Sequence, residues 1–289
     1  MQLSVVIITY NEEANIARTL ASVQPLVADG RGEIIVVDSG STDRTVEIAK
    51  SYGARVFVEE WKGFAAQKNS AIEKASGDWI LSLDADEEVE AKEGAEDLIH
   101  SYTSQPENLT ETELLRLSGG RGPLAEARKF AEDVLLTANG YYLARKNLFL
   151  GRWMRHGGFY PDPKLRLFRR GHGGFEDRAV HETVAVDGRT RKLTALSLLH
   201  HSYPTLADYL DHMNRYSSLG AEMVAAKGPV RFSLFNIVLR PAATFLYNYV
   251  FRLGFLDGRE GLLLHLYHAT YVSWKYSKAW ELSRKKTST

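Results

Sequence analysis

The sequence predicts an α/β fold in which helices cover both faces of a parallel β-sheet, and two observations carry this prediction. Short apolar runs rich in β-branched residues alternate along residues 1–90 with segments whose apolar positions recur at helical spacing. Polar turns rich in Gly, Ser and Asp separate these segments. Strands that alternate with helices are joined by crossover connections, which make neighbouring strands parallel.

The elements follow in order from the N-terminus. Residues 3–9 form an apolar run without clean alternation, which predicts a strand buried on both faces. The next segment, 11–23, has Ile16, Leu20 and Val23 at helical spacing. By the same criteria, strands are predicted at 33–37, 55–58 and 79–83, and helices at 45–52 and 63–75.

The pattern changes after residue 90. Residues 91–138 are mostly polar and broken by Gly and Pro, which predicts a mainly helical insertion joined by loops. Residues 139–203 return to strand-like pieces that complete the sheet, and 204–289 are helical and aromatic. We therefore expect one domain over 1–203 and a helical C-terminal region over 204–289.

Composition restricts the possible functions of the chain. Its 289 residues are 44% hydrophobic and 25% charged, as in folded globular proteins. Lys plus Arg and Asp plus Glu both number 36, so overall charge gives no support for binding nucleic acid. Without cysteine, a metal ion must be held by oxygen or imidazole. We expect neither an export signal at the N-terminus nor a membrane-spanning run of about 18 to 20 apolar residues.

Acidic and polar residues follow three predicted strands. Ligands of such sheets bind beyond the carboxyl ends of the strands, so 10–12, 38–43 and 84–86 should converge on one crevice. Asp84 and Asp86 suit a hard divalent ion, or alternatively cap the next helix. Asp38 can accept hydrogen bonds from a base or ribose, whereas the alternative for this turn is a strand-to-helix connection capped by Ser41, Thr42 or Asp43.

Four segments together resemble the successive motifs of family 2 glycosyltransferases, which have the GT-A fold. They are 5–12, 36–43, 67–71 and 83–86. The later stretches 164–169, 180–182 and 200–203 resemble the lipopolysaccharide core β-1,4-glucosyltransferase type of that family. The resemblance implies a nucleotide-binding half over 1–90 and an acceptor-side half over 139–203.

The same resemblance implies roles for individual residues. Residues at the nucleotide pocket would be Thr9, Tyr10 and Glu12, with Asp38 on the uracil or ribose. Asp84 and Asp86 match the motif that binds the metal and the ribose. Lys68 and Asn69 would approach the nucleotide and its phosphates, although a lysine on an amphipathic helix is often merely solvated.

The general base and the remaining metal ligand are less closely defined. Glu182, which follows His181, is the favoured base for taking the acceptor proton, and Asp177 or Glu176 is the alternative. His200 or His201 would supply a third metal ligand or contact diphosphate, unless they are hydrogen-bonded residues at a strand end. Three arginines suit diphosphate or an anionic acceptor, or the outward face of a strand, and the sequence does not decide between these roles: Arg166, Arg169 and Arg170.

The expected activity is inverting transfer of a hexose, with glucose favoured, from a UDP-sugar in the presence of Mg²⁺ or Mn²⁺. The resemblance implies a sugar hydroxyl of a lipopolysaccharide core or other lipid-linked glycan as acceptor, at the cytoplasmic membrane face. Competing hypotheses are a nucleotidyltransferase and a noncatalytic nucleotide-sugar scaffold. The aromatic and basic 204–289 region predicts a peripheral membrane contact, a packed subdomain or a dimer contact, and it leaves the oligomeric state open.

Overall fold

The computed structural model describes residues 2–91, 111–112, 115, 138–176 and 183–287, with only the backbone described for 285–287. The chain divides into two compact units. The first unit comprises Met1–Arg145 and Pro163–Leu199, and the second comprises Lys146–Asp162 and His200–Thr289. The second unit begins close to the boundary expected at 203/204 but also includes Lys146–Asp162. Most of the expected helical insertion lies outside the described residues.

The first four strands and three helices of the described chain alternate as the sequence predicts. The strands are β1 (Leu3–Thr9), β2 (Gly32–Asp38), β3 (Arg55–Val58) and β4 (Trp79–Asp84). The helices are α1 (Ile16–Val27), α2 (Thr45–Ser51) and α3 (Phe64–Glu73). Each predicted element in this part of the chain is confirmed, with its ends shifted by up to five residues.

The later strands are β5 (Glu87–Ala91), β6 (Ala138–Phe149), β7 (Arg152–Trp153), β8 (Asp162–Arg169), β9 (Gly173–Glu176), β10 (Thr183–Val186) and β11 (Arg189–Tyr203). Among the described residues the main sheet has the order β3-β2-β1-β4-β8-β6-β11-β5, with β7 paired to β6. β1, β2, β3 and β4 are parallel to their neighbours within this group, and β8 is antiparallel to β4. β9 and β10 form a separate antiparallel pair.

Both faces of the parallel strands are covered by helices. Alternate residues of β1 point to opposite faces, so Val5 and Ile7 pack with Leu20 of α1 while Val6 packs with Ala71 of α3. All five side chains are buried. This two-sided burial explains why β1 reads as a continuous apolar run.

The second unit is mainly helical. Its helices are α4 (Leu206–Ala225), α5 (Arg240–Leu246) and α6 (Gly258–Thr287). Two π-helical turns, Phe235–Leu239 and Tyr247–Phe251, flank α5, and a 3₁₀ turn, Gly254–Asp257, precedes α6. α4 packs along α6, and the core beside them contains Phe149, Met154, Tyr209, Met213 and Leu264.

No helix in the described part of the chain combines the length and the apolar character that a bilayer-spanning segment requires.

Candidate functional site

The carboxyl ends of β1, β2 and β4 meet at one edge of the parallel sheet, as the sequence predicts. In the strand register Thr9 lies opposite Asp38, and Ile8 lies opposite Asp84. The loops that follow β1 and β2 are joined by hydrogen bonds, since the Asn11 amide donates to Ser41 Oγ at 2.8 Å. We call this edge, formed by residues 9–13, 38–45 and 84–87, the acidic rim.

Asp38 organises the loop that follows β2. Its Oδ1 accepts the backbone N–H groups of Gly40 and Ser41 at 3.0 and 2.8 Å. Its Oδ2 accepts the hydroxyls of Thr9 and Ser41 at 2.8 and 2.5 Å. Gly40 has a φ of +87°, a conformation that favours glycine. These bonds give Asp38 and Thr9 a structural role that the sequence does not reveal, and their contact with nucleotide stays a prediction.

Asp43 makes the turn into α2. Its carboxylate accepts the Thr45 backbone N–H at 3.0 Å and the Glu13 backbone N–H at 3.1 Å. Asp43 therefore satisfies a donor of the first helical residue, which agrees with the capping role expected of this turn.

Asp84 lies between two buried cations. Lys68 Nζ is 2.7 Å from its Oδ1, and Arg166 Nη2 is 2.6 Å from its Oδ2. Burial alone raises the pKa of Asp84, but the Arg166 and Lys68 charges hold that pKa well below its usual range. Lys68 is only 2% exposed, so the interpretation of this lysine as merely solvated is wrong. A buried ammonium needs a counter-charge, and Asp84 supplies it.

Glu87 completes this network, and no motif in the sequence predicted its role. The carboxylate is fully buried, and its Oε1 accepts Arg166 Nη2 at 2.8 Å and Arg145 Nη1 at 3.4 Å. Its Oε2 accepts the backbone N–H of Asp84 at 3.1 Å. Glu87 therefore fixes both the start of the Asp84 turn and the guanidinium that contacts Asp84.

Only one signal in the sequence distinguishes Glu87 from its neighbour Glu88. In a strand, Glu87 shares a face with the apolar Val89, and both are buried. Arg166 is likewise buried at the network, so its assignment to an outward strand face is wrong. Arg170 donates to the Gly77 carbonyl at 2.6 Å.

The acidic rim also contains Glu12 and Asp86. Burial is the largest influence raising the pKa of Glu12; a hydrogen bond from Asn15 opposes it, and the negative charges of Asp86, Asp43 and Asp84 add to it. These carboxylates are therefore close enough to interact, and their oxygens suit a hard divalent ion. No group of three or more His, Asp or Glu side chains in the described ranges forms a complete metal site. A divalent ion at the rim would need further oxygen ligands, such as those of a phosphate.

Asn69 ties α3 to the β9–β10 pair. Its side chain donates to the Phe175 carbonyl at 2.9 Å and accepts the Phe175 amide at 2.8 Å. The Phe175 ring lies 5.0 Å from Lys68 Nζ. Asn69 therefore acts here as a connection between elements, and its contact with a nucleotide stays a prediction.

The candidate bases are adjacent to the β9–β10 pair in the sequence. Glu176 ends β9 and lies opposite Thr183, the first residue of β10. Asp177 and Glu182 belong to the segment between these strands and lie outside the described residues.

His200 belongs to the second unit. Its Nδ1 lies 3.0 Å from Asn147 Oδ1 and 2.7 Å from Ser202 Oγ. These contacts match a hydrogen-bonded residue at a strand end, and metal ligation by His200 or His201 stays a prediction.

Comparison with known proteins identifies the family. The model of Glycosyl transferase family 2 matches residues 4–170, more than half of the chain. A lipopolysaccharide core biosynthesis glycosyltransferase, LpsC, of Rhizobium meliloti (strain 1021) is 28% identical over 279 residues, covering 94% of this chain and 89% of LpsC. An uncharacterized glycosyltransferase of Rickettsia typhi (strain ATCC VR-144 / Wilmington) is 28% identical over 293 residues, covering 98% of this chain and 88% of that protein.

Among solved structures, glucosyl-3-phosphoglycerate synthase from Mycobacterium tuberculosis, in complex with Mn²⁺, UDP and glucosyl-3-phosphoglycerate, is 35% identical. The match covers 30% of this chain and 34% of that one, with a TM-score of 0.28.

The chain belongs to glycosyltransferase family 2. The expected GT-A class of α/β fold and the transferase activity are thereby confirmed, and the nucleotidyltransferase hypothesis is set aside.

Proposed function

We propose that the protein is an inverting glycosyltransferase that moves glucose from UDP-glucose to a sugar hydroxyl of a lipopolysaccharide core or another lipid-linked glycan. The similarity to LpsC over nearly the whole chain supports this acceptor class. UDP and glucose are favoured by the motif resemblance. An acceptor of this kind would be met at the inner face of the cytoplasmic membrane.

The observation that carries the proposal is the acidic rim with its buried cations. Asp84 contacts Lys68 and Arg166 through both oxygens, so Asp86 is the better carboxylate for a divalent ion and Asp84 is positioned for the ribose. Mn²⁺ or Mg²⁺, when bound, would neutralise charge on the departing diphosphate. The carboxylates close to Asp86 favour such an ion, because it relieves their mutual repulsion.

Tyr10 and Ser39 are suited to the nucleoside. The Tyr10 side chain is 58% exposed at the carboxyl end of β1 and offers a ring face on which a base can stack. Ser39 Oγ is buried and has no hydrogen-bond partner among the residues that the structure describes. A buried hydroxyl without a partner is costly, and a ribose or base would satisfy it.

Glu182 is the proposed general base, with Asp177 and Glu176 as the alternatives. As the acceptor oxygen bonds to the anomeric carbon, the bond from that carbon to the diphosphate breaks, and the hydroxyl proton passes to the carboxylate. The contacts of Phe175 with Asn69 and Lys68 support a base from this part of the chain without favouring one of the three acids. They fasten the strand next to Asp177 to the helix whose lysine contacts Asp84.

Transfer assays on the full chain test the proposal. Purified lipopolysaccharide of truncated core would be incubated with Mn²⁺ and UDP-glucose, UDP-galactose or GDP-mannose, and the product mass measured. We expect a hexose to be added from UDP-glucose. Transfer only from GDP-mannose would contradict the donor assignment.

Three matched variants test the base. Glu182→Gln should bind UDP-glucose normally and lose transfer by about 10²–10⁴-fold, the usual contribution of a general base. Asp177→Asn and Glu176→Gln should retain transfer. Full activity of Glu182→Gln, with loss in either of the other variants, would move the role to the affected acid.

A further inference from the structure

The second unit exposes an unusual number of large apolar side chains in one segment. Residues 234–251 are helical throughout, and Pro241 is the only buried residue among them. Phe251 is 76% exposed and Leu234 66%. We call the exposed set the apolar surface; it comprises Leu234, Phe235, Val238, Leu239, Leu246, Tyr247, Val250, Phe251, Leu253, Phe255 and Leu256.

An exposed apolar surface of this kind is expected to contact another molecule. A helix of a soluble protein normally buries an apolar stripe and shows polar residues to water. Contiguous exposed apolar patches mark sites of contact with a protein, a ligand or a membrane. Here the exposed apolar residues recur every four positions along one side of the helix, whereas Ile237 and Phe245 on the other side are partly buried. Packing within the described chain therefore accounts for one side of the helix and leaves the other uncovered.

The charged residues within the segment that carries the apolar surface have one sign. Residues 229–256 contain three arginines, Arg231, Arg240 and Arg252, and no acidic residue. The Arg240 guanidinium lies 5.7 Å from the Phe235 ring centre and 4.9 Å from that of Tyr276. Arg252 lies 5.9 Å from the Tyr247 ring centre. Arginines and aromatic rings are therefore interleaved, and all three arginines are exposed.

This charge pattern separates two possible occupants. In a symmetric dimer the same patch lies on both copies, so neither copy would supply a carboxylate from residues 229–256 to the arginines of the other. An anionic lipid surface instead supplies phosphates to the guanidiniums and an apolar interior to the Phe and Leu side chains. Tyrosine rings are also favoured at the boundary between lipid and water.

We propose that the apolar surface docks the protein on an anionic lipid bilayer. Phe251, Leu246 and their neighbours enter the outer part of the acyl region, and the arginines contact lipid phosphates. The inference extends the proposed function, since a lipid-linked acceptor is met there. Its test measures lipid binding instead of transfer, so the two can fail separately.

Flotation of the full chain with vesicles tests the proposal. One set of vesicles would be phosphatidylcholine, and the other phosphatidylcholine mixed with phosphatidylglycerol. We expect binding to the mixed vesicles, weakened by salt because charged contacts are screened. Leu246→Ser combined with Phe251→Ser should weaken binding by about tenfold or more, because two apolar side chains no longer enter the lipid.

Controls distinguish docking from other causes. Leu246 and Phe251 are both exposed, so circular dichroism of the double serine variant should show the wild-type fold. Val238→Ser with Leu239→Ser repeats the test on a second exposed pair. Val58→Ser in the first unit, at a side chain 63% exposed, should bind vesicles as the wild type does. Arg231→Glu should lower binding to mixed vesicles only.

Two results would overturn the proposal. One is equal flotation of the wild type and both serine pairs. The other is a wild type that does not float but sediments as a dimer, with the serine pairs sedimenting as monomers, which would make the apolar surface a subunit interface.

Discussion

The two units differ in the side chains that they bury and expose. In the first unit, Lys68, Glu87 and Arg166 are buried, and ionic contacts account for them. In the second unit, Leu239 and Phe251 are more than half exposed, while buried His265 has no hydrogen-bond partner for either ring nitrogen among the described residues. A buried ionic network lies under the acidic rim of the first unit, and aromatic rings surround a neutral histidine in the second.

This difference indicates where each unit meets its ligands. Buried ions are costly, so a network that positions Asp84 is better explained by a polar ligand at the acidic rim than by stability. Exposed apolar side chains are also costly, and the proposed lipid contact would cover those of the second unit. Disturbing each interior in turn tests the comparison.

The largest expected effect is at Glu87. In Glu87→Ala, Arg166 and Arg145 lose a buried counter-charge, and the Asp84 amide loses its acceptor. We expect a loss of about 3–5 kcal/mol in unfolding free energy, typical of breaking a buried ion pair from one side. Urea unfolding would measure it. The control Glu88→Ala, whose contact with Arg18 is 3.8 Å long and partly exposed, should cost at most about 1 kcal/mol. Equal losses would show that the buried guanidiniums do not depend on Glu87 for their counter-charge.

Two glycines test the ring packing of the second unit. Gly157 and Gly151 have φ values of +64° and +78°. A Cβ at Gly157 would lie 2.0 Å from the His265 ring, whereas nothing lies within 4 Å of one at Gly151. Gly157→Ala should therefore cost about 2–4 kcal/mol, combining backbone strain with overpacking. Gly151→Ala should cost about 1 kcal/mol from the backbone alone. Similar shifts in melting temperature would contradict a closely packed ring at His265.

The stability of the second unit should fall in mild acid. Burial is the largest of the influences that lower the pKa of His265 to about 4. The charges of His268 and Arg252 also lower this pKa, and that of Asp257 raises it. Its ordinary value is 6.5, so the unfolded chain binds the proton more readily than the folded one. The neutral ring stabilises the fold above pH 6.5, and this contribution of up to about 3 kcal/mol is lost as pH falls towards 4. Urea midpoints at a series of pH values should show this loss of unfolding free energy, and His265→Asn should make the unfolding free energy depend less steeply on pH. An unchanged slope in that variant would contradict the assignment.

The smallest effect is expected at the start of α4. Thr205 Oγ1 accepts the Asp208 amide at 3.2 Å, and the Asp208 side chain accepts the Thr205 amide at 3.1 Å. Thr205→Ala should cost about 1 kcal/mol, the usual contribution of such a cap. Hydrogen exchange in the first turn of α4 would detect it. A loss of unfolding free energy as large as that of Glu87→Ala would contradict a role for Thr205 limited to capping α4.

Sequence alone identifies the parallel half of the sheet because local pattern determines it. The strand predicted at 55–58 has the same bounds as β3. β5 was missed because its sequence, Glu-Glu-Val-Glu-Ala, contains a buried acid where a strand pattern needs an apolar residue. No sequence pattern indicated that Lys68 is buried, because the buried side of α3 also contains the polar residues Gln67 and Ser70.

The helical character of 204–289 was predicted, but the tertiary contacts of the second unit were not, because they join residues distant in sequence. His156 donates its amide to Asp257 at 2.8 Å across 101 positions. Local periodicity contains no information on such a pairing. The grouping of Lys146–Asp162 with the helices of 204–289 rests on contacts of this kind.

Calorimetric titration of UDP-glucose into the wild type and Asp86→Asn, each with Mn²⁺ and with a chelator, tests directly whether the acidic rim binds the nucleotide-sugar. If the acidic rim binds a nucleotide-sugar through a divalent ion, the wild type binds with Mn²⁺, and chelator or Asp86→Asn weakens binding strongly. Equal binding under all four conditions would contradict the claim, because it would place the nucleotide away from Asp86 and remove the ion from recognition.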